Sequence, residues 1–195
     1  MAPPNPPVSV AILAGGRSSR MGTDKSFVPV HGRPMIDWVL AAVQGLGTET
    51  FLITNRPVAY THLGLPLFGD LYPDSGPLGG VYTALTQAVH PHVLVVACDM
   101  PFLCRDLLGY MLSLVPDYDV VVPRLAGIPE PLHAAYSRAC LAPIRARLEA
   151  GQRKMINFYA DVRVRYLDEP ELDRFDPEHR SFYNLNTPED VIRNG

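Results

Sequence analysis

VSVAILAGGRSSRMGTDKS, residues 8–26, is the stretch on which the reading of this chain turns. Its first seven residues are almost continuously apolar and rich in β-branched side chains, the composition of a strand covered on both faces. The strand runs straight into a loop carrying Gly15, Gly16 and Gly22, which let the backbone approach a ligand and turn successive N–H groups inward, as phosphate oxygens require. Arg17, Arg20 and Lys25 add cationic heads to the same loop. A Walker A loop would need glycine directly before the lysine, but Thr23 and Asp24 separate Gly22 from Lys25. The dinucleotide fingerprint GxGxxG fails as well, because Gly15 and Gly16 are adjacent. The loop is therefore a phosphate cradle of another kind, placed directly after a first buried strand.

Outward from this stretch, short apolar runs at 50–54, 93–97 and 119–122 read as further buried strands. Between them, residues 34–45 place Met35, Ile36, Val39, Leu40 and Val43 on one helical face, opened by a proline and closed near Gly45 and Gly47. Residues 78–88 and 105–114 repeat the helical period. Strand and helix in alternation predict an α/β fold in one domain, a mostly parallel twisted sheet with helices on both faces, and ligands bound beyond the carboxyl ends of the strands. Pro116 and the 123–131 region break the rhythm, and a strand at 132–136 and a helix at 143–150 follow in a less regular C-terminal part.

At 195 residues the chain can bury most of its apolar surface without staples. A formal net charge of -3 excludes the basic excess of a nucleic-acid-binding surface. Cys98, Cys104 and Cys140 are odd in number and form no CxxC pair, so neither a disulfide framework nor a zinc clip is indicated, and a reducing cytoplasm is the expected compartment. Residues 1–7 are proline-rich, with no signal-peptide or membrane-span character, and read as a disordered lead-in.

ACDMPFL, residues 97–103, sits at the end of the 93–97 strand. There Asp99 would lie at the ligand edge of the sheet, where a carboxylate holds Mg²⁺ against substrate phosphates, although an aspartate after a strand also serves as a turn former. Cys98 has no nearby His or Lys to activate it and reads as a small packing residue. The six His show no metal-ligand spacing; His31, before Gly32, reads as a turn residue, and His133 as a strand residue with a satisfied side chain.

LAGGxxxRMGxDK at 13–25, GPLGG at 76–80, CDMP at 98–101, EPL at 130–132 and NLNTPED at 184–190 together resemble the molybdenum cofactor guanylyltransferases, in order and over nearly the whole chain. Related pyrophosphorylases and cytidylyltransferases share the first motif, typically with LAAG and a proline before the lysine, where this chain has Gly15 and Asp24. The resemblance implies a Rossmann-like fold of the nucleotide-diphospho-sugar transferase type. It also implies Mg²⁺-dependent transfer of GMP from GTP to the terminal phosphate of molybdopterin, with release of pyrophosphate. By the same resemblance, Lys25 and Arg20 hold the phosphates and Asp99 holds the metal. Leu13, Ala14, Gly15, Gly16 and Gly22 line the nucleotide, Asn55 and Asp70 lie near base and ribose, and Gly80 permits close approach. Asn184 and Asn186 match an asparagine pair beside the acceptor. Residues 8–122 then form a nucleotide-binding half and residues 123–195 an acceptor-binding half.

Arg153 and Lys154, after a helix, read either as a solvated cationic helix end or as acceptor-phosphate contacts. Tyr159, Tyr166, Phe182 and Tyr183 are open between core packing and stacking on a pterin. Two further functions stay open at this point: a relative using another NTP or acceptor, such as a cytidylyltransferase of the same cofactor or a sugar nucleotidyltransferase, and a silent nucleotide-binding protein on the same fold. Small-molecule substrates and transient contacts with other cofactor-biosynthesis proteins are the expected partners, with no nucleic acid and no membrane.

Overall fold

In the computed structural model, which describes residues 7–15, 25–185 and 190, the first apolar run forms β1 (Ser9–Leu13), buried along its whole length. Side chains alternate across a strand, so β1 feeds two cores at once: Val10 and Ile12 join one, Ala11 and Leu13 the other. A small hairpin follows, β2 (Pro29–Val30) and β3 (Arg33–Pro34), closed by His31 and Gly32 at φ 50° and 76°. Two consecutive positive φ values give a turn whose twist suits a two-residue hairpin, and His31 is the turn residue its sequence position implies.

Helix α1 (Met35–Val43) starts one residue later than its proline: Pro34 caps it in extended conformation rather than joining it. Strand β4 (Glu49–Ile53), the short helix α2 (Pro57–Tyr60) and β5 (Leu67–Phe68) come next, then α3 (Gly76–Gln87), β6 (His92–Ala97) and α4 (Arg105–Leu114). The C-terminal part comprises β7 (Val120–Leu125), β8 (Ile128–Pro129), β9 (His133–Ser137), α5 (Leu141–Glu149), β10 (Val164–Asp168) and α6 (Glu169–Leu172). It is less regular, with 3₁₀ turns at Met155–Asp161 and Arg180–Phe182.

The strands form one eight-stranded sheet in the order β10-β7-β9-β6-β1-β4-β5, with β8 paired to β7 at the side. Pairing is parallel from β6 through β1 and β4 to β5 and again between β7 and β10; β9 runs against both its neighbours, β6 and β7, and β8 runs against β7. The sheet is thus mixed and mostly parallel. Ile36, Val39 and Val43 of α1 and Leu107, Leu108, Met111 and Leu112 of α4 cover one face. Leu78, Val81, Ala84 and Leu85 of α3 and Ile144 and Leu148 of α5 cover the other. Each fully buried aliphatic side chain of this kind contributes about 1.5–3 kcal/mol, so a sheet filled on both faces holds its strand ends rigidly. Among the described residues no helix is long and apolar enough to cross a membrane.

Candidate active site

Beyond the carboxyl ends of β1, β4, β5 and β6 the sheet opens into a cleft of about 570 Å³. Its floor is made by residues that continue the ladder past the strands: Ala14 N–H donates to Ile53 O (2.9 Å), Thr54 N–H to Phe68 O (2.8 Å) and Cys98 N–H to Leu13 O (3.1 Å). These bonds tie each strand exit to its neighbour, so Leu13, Ala14, Gly15, Asn55 and Asp99 all reach one wall from rigid supports.

Asp99 lines the cleft one residue past Cys98. Burial raises the pKa of its carboxyl, and the charge of Lys25 opposes that rise, so the structure brings these two sequence-predicted residues within electrostatic reach. Lys25 opens a 3₁₀ turn, Lys25–Phe27, fastened by the fully buried Ser26, whose hydroxyl pairs with Tyr60 Oη at 2.6 Å, and by Phe27, whose ring lies 5.1 Å from that of Tyr60. On the far side, Leu185 N–H donates to the Asp99 carbonyl (3.1 Å), which draws the segment containing Asn184 alongside the Asp99 loop.

Asn55 and Asp70 form a reciprocal pair: Asn55 Nδ2 donates to Asp70 Oδ2 (2.8 Å), and Asp70 N–H donates to Asn55 Oδ1 (3.0 Å). Burial raises the Asp70 pKa and the Asn55 bond works against it. Gly80 faces this pair from α3; a Cβ there would stand 3.1 Å from Leu13 Cδ1 and 3.8 Å from Asp70 Oδ1, so a side chain at this position would press on the Leu13 methyl at the floor of the cleft. Arg153 lines the cleft, whereas Lys154 beside it is exposed and does not. Gly16, Arg20, Gly22 and Asn186 lie outside the described residues.

One sequence reading is corrected here. His133 is fully buried on β9, yet neither ring nitrogen has a hydrogen-bond partner of good geometry among the described residues; its ring lies 4.9 Å from that of Phe182. The apolar alternation of β9 placed it correctly inside, but burial did not bring a partner with it. Cys98 packs partly against the core as expected and also lines the cleft, because the residue after a strand end faces the ligand edge. Of the late aromatics, Phe182 and Tyr159 are buried, Tyr166 carries the Arg124 guanidinium 4.5 Å from its ring centre, and Tyr183 is 40% exposed.

Arg56 and Asp74 line the cleft without having been singled out from the sequence, while Pro77 and Leu132, which also line it, stand in the GPLGG and EPL motifs. Only the fold places the two charged residues there: Arg56 directly follows Asn55, and Asp74, at φ 58°, lies in the turn that opens α3. The cleft thus combines the carboxylates of Asp70, Asp74 and Asp99 with the guanidinium groups of Arg56 and Arg153. Among the described residues no cluster of three His, Cys, Asp or Glu could cage a metal by itself. A half-buried carboxylate facing a cleft of this size is nevertheless the donor that suits Mg²⁺, which takes one or two carboxylates and completes its shell with substrate phosphates and water. Asp99 fits that role.

Residues 10–164 match the family model for the MobA-like NTP transferase domain. A probable molybdenum cofactor guanylyltransferase of Pelotomaculum thermopropionicum is 40% identical over 182 residues, which cover 93% of this chain and 89% of that protein. Among solved structures, the molybdopterin-guanine dinucleotide biosynthesis protein A of Archaeoglobus fulgidus is similar at TM-score 0.82 and 28% identity, covering 95% of this chain and 96% of that one. The 4-diphosphocytidyl-2C-methyl-D-erythritol synthase of Anaerococcus prevotii shares the fold at TM-score 0.71 and 14% identity, covering 95% and 93%.

Proposed function

The chain belongs to the MobA-like NTP transferase family, and from that premise we propose that this nucleotidyltransferase moves GMP from GTP to the terminal phosphate of molybdopterin, giving molybdopterin guanine dinucleotide and pyrophosphate. The observation that carries the reading is Asp99 at the carboxyl edge of the sheet, in a cleft whose floor is the first strand's exit and within electrostatic reach of Lys25. A relative named as a guanylyltransferase at 40% identity over nearly the whole chain supports the choice of nucleotide and acceptor.

An acceptor phosphate oxygen forms the new bond to the α-phosphorus while the bond from that phosphorus to the bridging oxygen of the β-phosphate breaks; pyrophosphate leaves with its electrons. The acceptor is already ionised near neutral pH, so no side chain needs to remove a proton. The barrier is the meeting of two anions, and positioning and charge neutralisation lower it. Lys25, joined by Arg20, neutralises phosphate charge, and Leu13, Ala14, Gly15 and the Asn55–Asp70 pair orient the nucleoside. Gly16 and Gly22 extend the phosphate cradle. Arg153, with Lys154 behind it, and Asn184 and Asn186 receive the acceptor, so residues 8–122 serve the nucleotide and 123–195 the acceptor. Mg²⁺, held by Asp99, would supply the remaining neutralisation of the triphosphate. The setting is the cytoplasm, with transient contacts to other proteins of cofactor biosynthesis.

Pyrophosphate release from each of the four NTPs, with and without molybdopterin, tests the reading. GTP with acceptor is expected to give turnover that Asp99→Asn lowers by at least ~100-fold without lowering the melting temperature. Preference for CTP, or for a sugar phosphate as acceptor, would replace guanylyl transfer with a sister activity, and absence of turnover with every NTP would mark a silent binding protein.

A further inference from the structure

Two successive backbone N–H groups beside the cleft, those of Asp70 and Leu71, are both taken by side chains from other elements. Asp70 N–H donates to Asn55 Oδ1 (3.0 Å), and Leu71 N–H donates to Thr83 Oγ1 (2.9 Å). Thr83 lies on α3 and is fully buried. Its hydroxyl proton goes to the Gly79 carbonyl one helical turn back (2.9 Å). With that proton committed, only the lone pairs remain for the Leu71 N–H, so the hydroxyl has a single working orientation.

Position along the helix gives this arrangement its consequence. Gly79, Gly80 and Thr83 are spaced three and four residues apart and share one face of α3. Gly80 is where the helix comes within van der Waals reach of Leu13 and the Asp70 carboxylate. The Thr83 hydroxyl therefore fastens the peptide after Asp70 to the same helix face over which that carboxylate lies, while Asn55 fastens the peptide before it. Leu71 itself is 47% exposed, so its N–H has water as an alternative partner. What Thr83 adds is position rather than rescue of a stranded donor.

We propose that Thr83 is a positioning residue for nucleotide binding, which with Asn55 holds the Asp70 carboxylate in its place in the cleft before the nucleotide arrives. The proposal rests on the reading of the cleft as a GTP site. Thr83→Val keeps the side-chain shape and removes the hydroxyl; it is expected to weaken GTP binding about tenfold, the scale on which one misaligned hydrogen bond to a charged group counts. Turnover at saturating GTP should change far less, and Thr83→Ser should stay within about twofold of the wild type because the hydroxyl is kept.

The experiment is a cycle of GTP dissociation constants, by calorimetry, over the wild type, Thr83→Val, Asp70→Asn and the double variant, with thermal melts on each. If Thr83 acts through Asp70, adding Thr83→Val to Asp70→Asn costs no further affinity. Additive losses, or a Thr83→Val protein that binds GTP as the wild type does, would overturn the proposal while leaving the GTP site standing. A folded wild type that binds no GTP would overturn the reading of the cleft and the proposal with it. Should Thr83→Val fail to fold, Thr83→Ser against Thr83→Ala poses the same comparison, hydroxyl kept against hydroxyl lost: equal affinities in that pair overturn the proposal, and weaker binding by Thr83→Ala alone supports it.

Discussion

Among the described residues a methyl group added at Gly15 would meet no atom within 4 Å beyond its chain neighbours, and Gly15 does not stand in the left-handed region of backbone space. Neither the described neighbours nor a left-handed backbone therefore demands glycine there, and Gly15 lines the cleft. Gly15→Ala is expected to fold normally and to lower kcat/KM for GTP by a factor equivalent to roughly 1–3 kcal/mol, the scale of one methyl clash against a bound substrate, with a smaller loss for CTP. Parallel kcat/KM measurements for both nucleotides decide it; equal losses would mean that Gly15 shapes the phosphate loop rather than selecting the base. The place of Asp99 in the cleft was legible at this scale because it follows a strand end, and ligand edges of α/β sheets lie at strand exits. Arg56 and Asp74 were not, because a single charge in a polar loop has no pattern; only the fold turns their side chains toward a common space.

The elements that carried an unbroken apolar run or a full helical period were readable to within two or three residues. Residues 105–114 coincide with α4, and 93–97 with β6 but for His92. What escaped were elements defined by partners rather than by their own composition. β5 is two residues long and exists because Leu67 and Phe68 pair with β4, and β10 mixes Val164 and Leu167 with Arg165 at the sheet edge, so it has no continuous apolar run. The reversed direction of β9 is likewise a property of its neighbours, since a buried run looks the same in either direction. The junction leading into β4 makes a prediction of its own. A Cβ at Gly47 would lie 2.7 Å from Val8 O and 2.9 Å from Val10 Cγ2, while Thr48 N–H holds Val8 O at 3.0 Å. The nearest obstacle is the Val8 carbonyl that leads into β1, backbone held by the Thr48 bond, with the Val10 side chain of β1 packed beside it. Gly47→Ala should lower stability by about 1–3 kcal/mol, as overpacking against a fixed neighbour does. The cleft lies at the opposite end of β1, so kcat of the folded fraction should be unchanged; a denaturation midpoint equal to that of the wild type would show that the junction can relax.

Across the whole molecule, His133 sets a pH dependence opposite in sign to that of the buried carboxylates. Burial pushes its pKa down to about 4 from 6.5, although the Ser181 backbone and the Asp176 carboxylate favour the proton. Above pH 6.5 the ring is neutral folded or unfolded and contributes no pH dependence. As pH falls from 6.5 toward 4, the unfolded chain takes up a proton that the folded chain refuses, so stability declines through that window and levels off below it. The loss from this one group is on the order of 3 kcal/mol, the free-energy equivalent of a shift of this size. Asp70, Asp99 and Glu130 act the other way, because burial raises their pKa values and the folded state then binds protons more readily than the unfolded chain as pH falls. The two trends overlap in a simple melt of the wild type, and a difference measurement separates them. His133→Leu keeps an apolar side chain of similar bulk against Phe182 and removes only the imidazole titration. Unfolding free energies of both proteins at pH 7.5 and pH 4.5 should show the wild type losing about 2–3 kcal/mol more than the variant over that interval. Superimposable pH dependences would mean that His133 gains a proton in the folded state as easily as in the unfolded one, and that its surroundings open to water or rearrange to give the ring a partner.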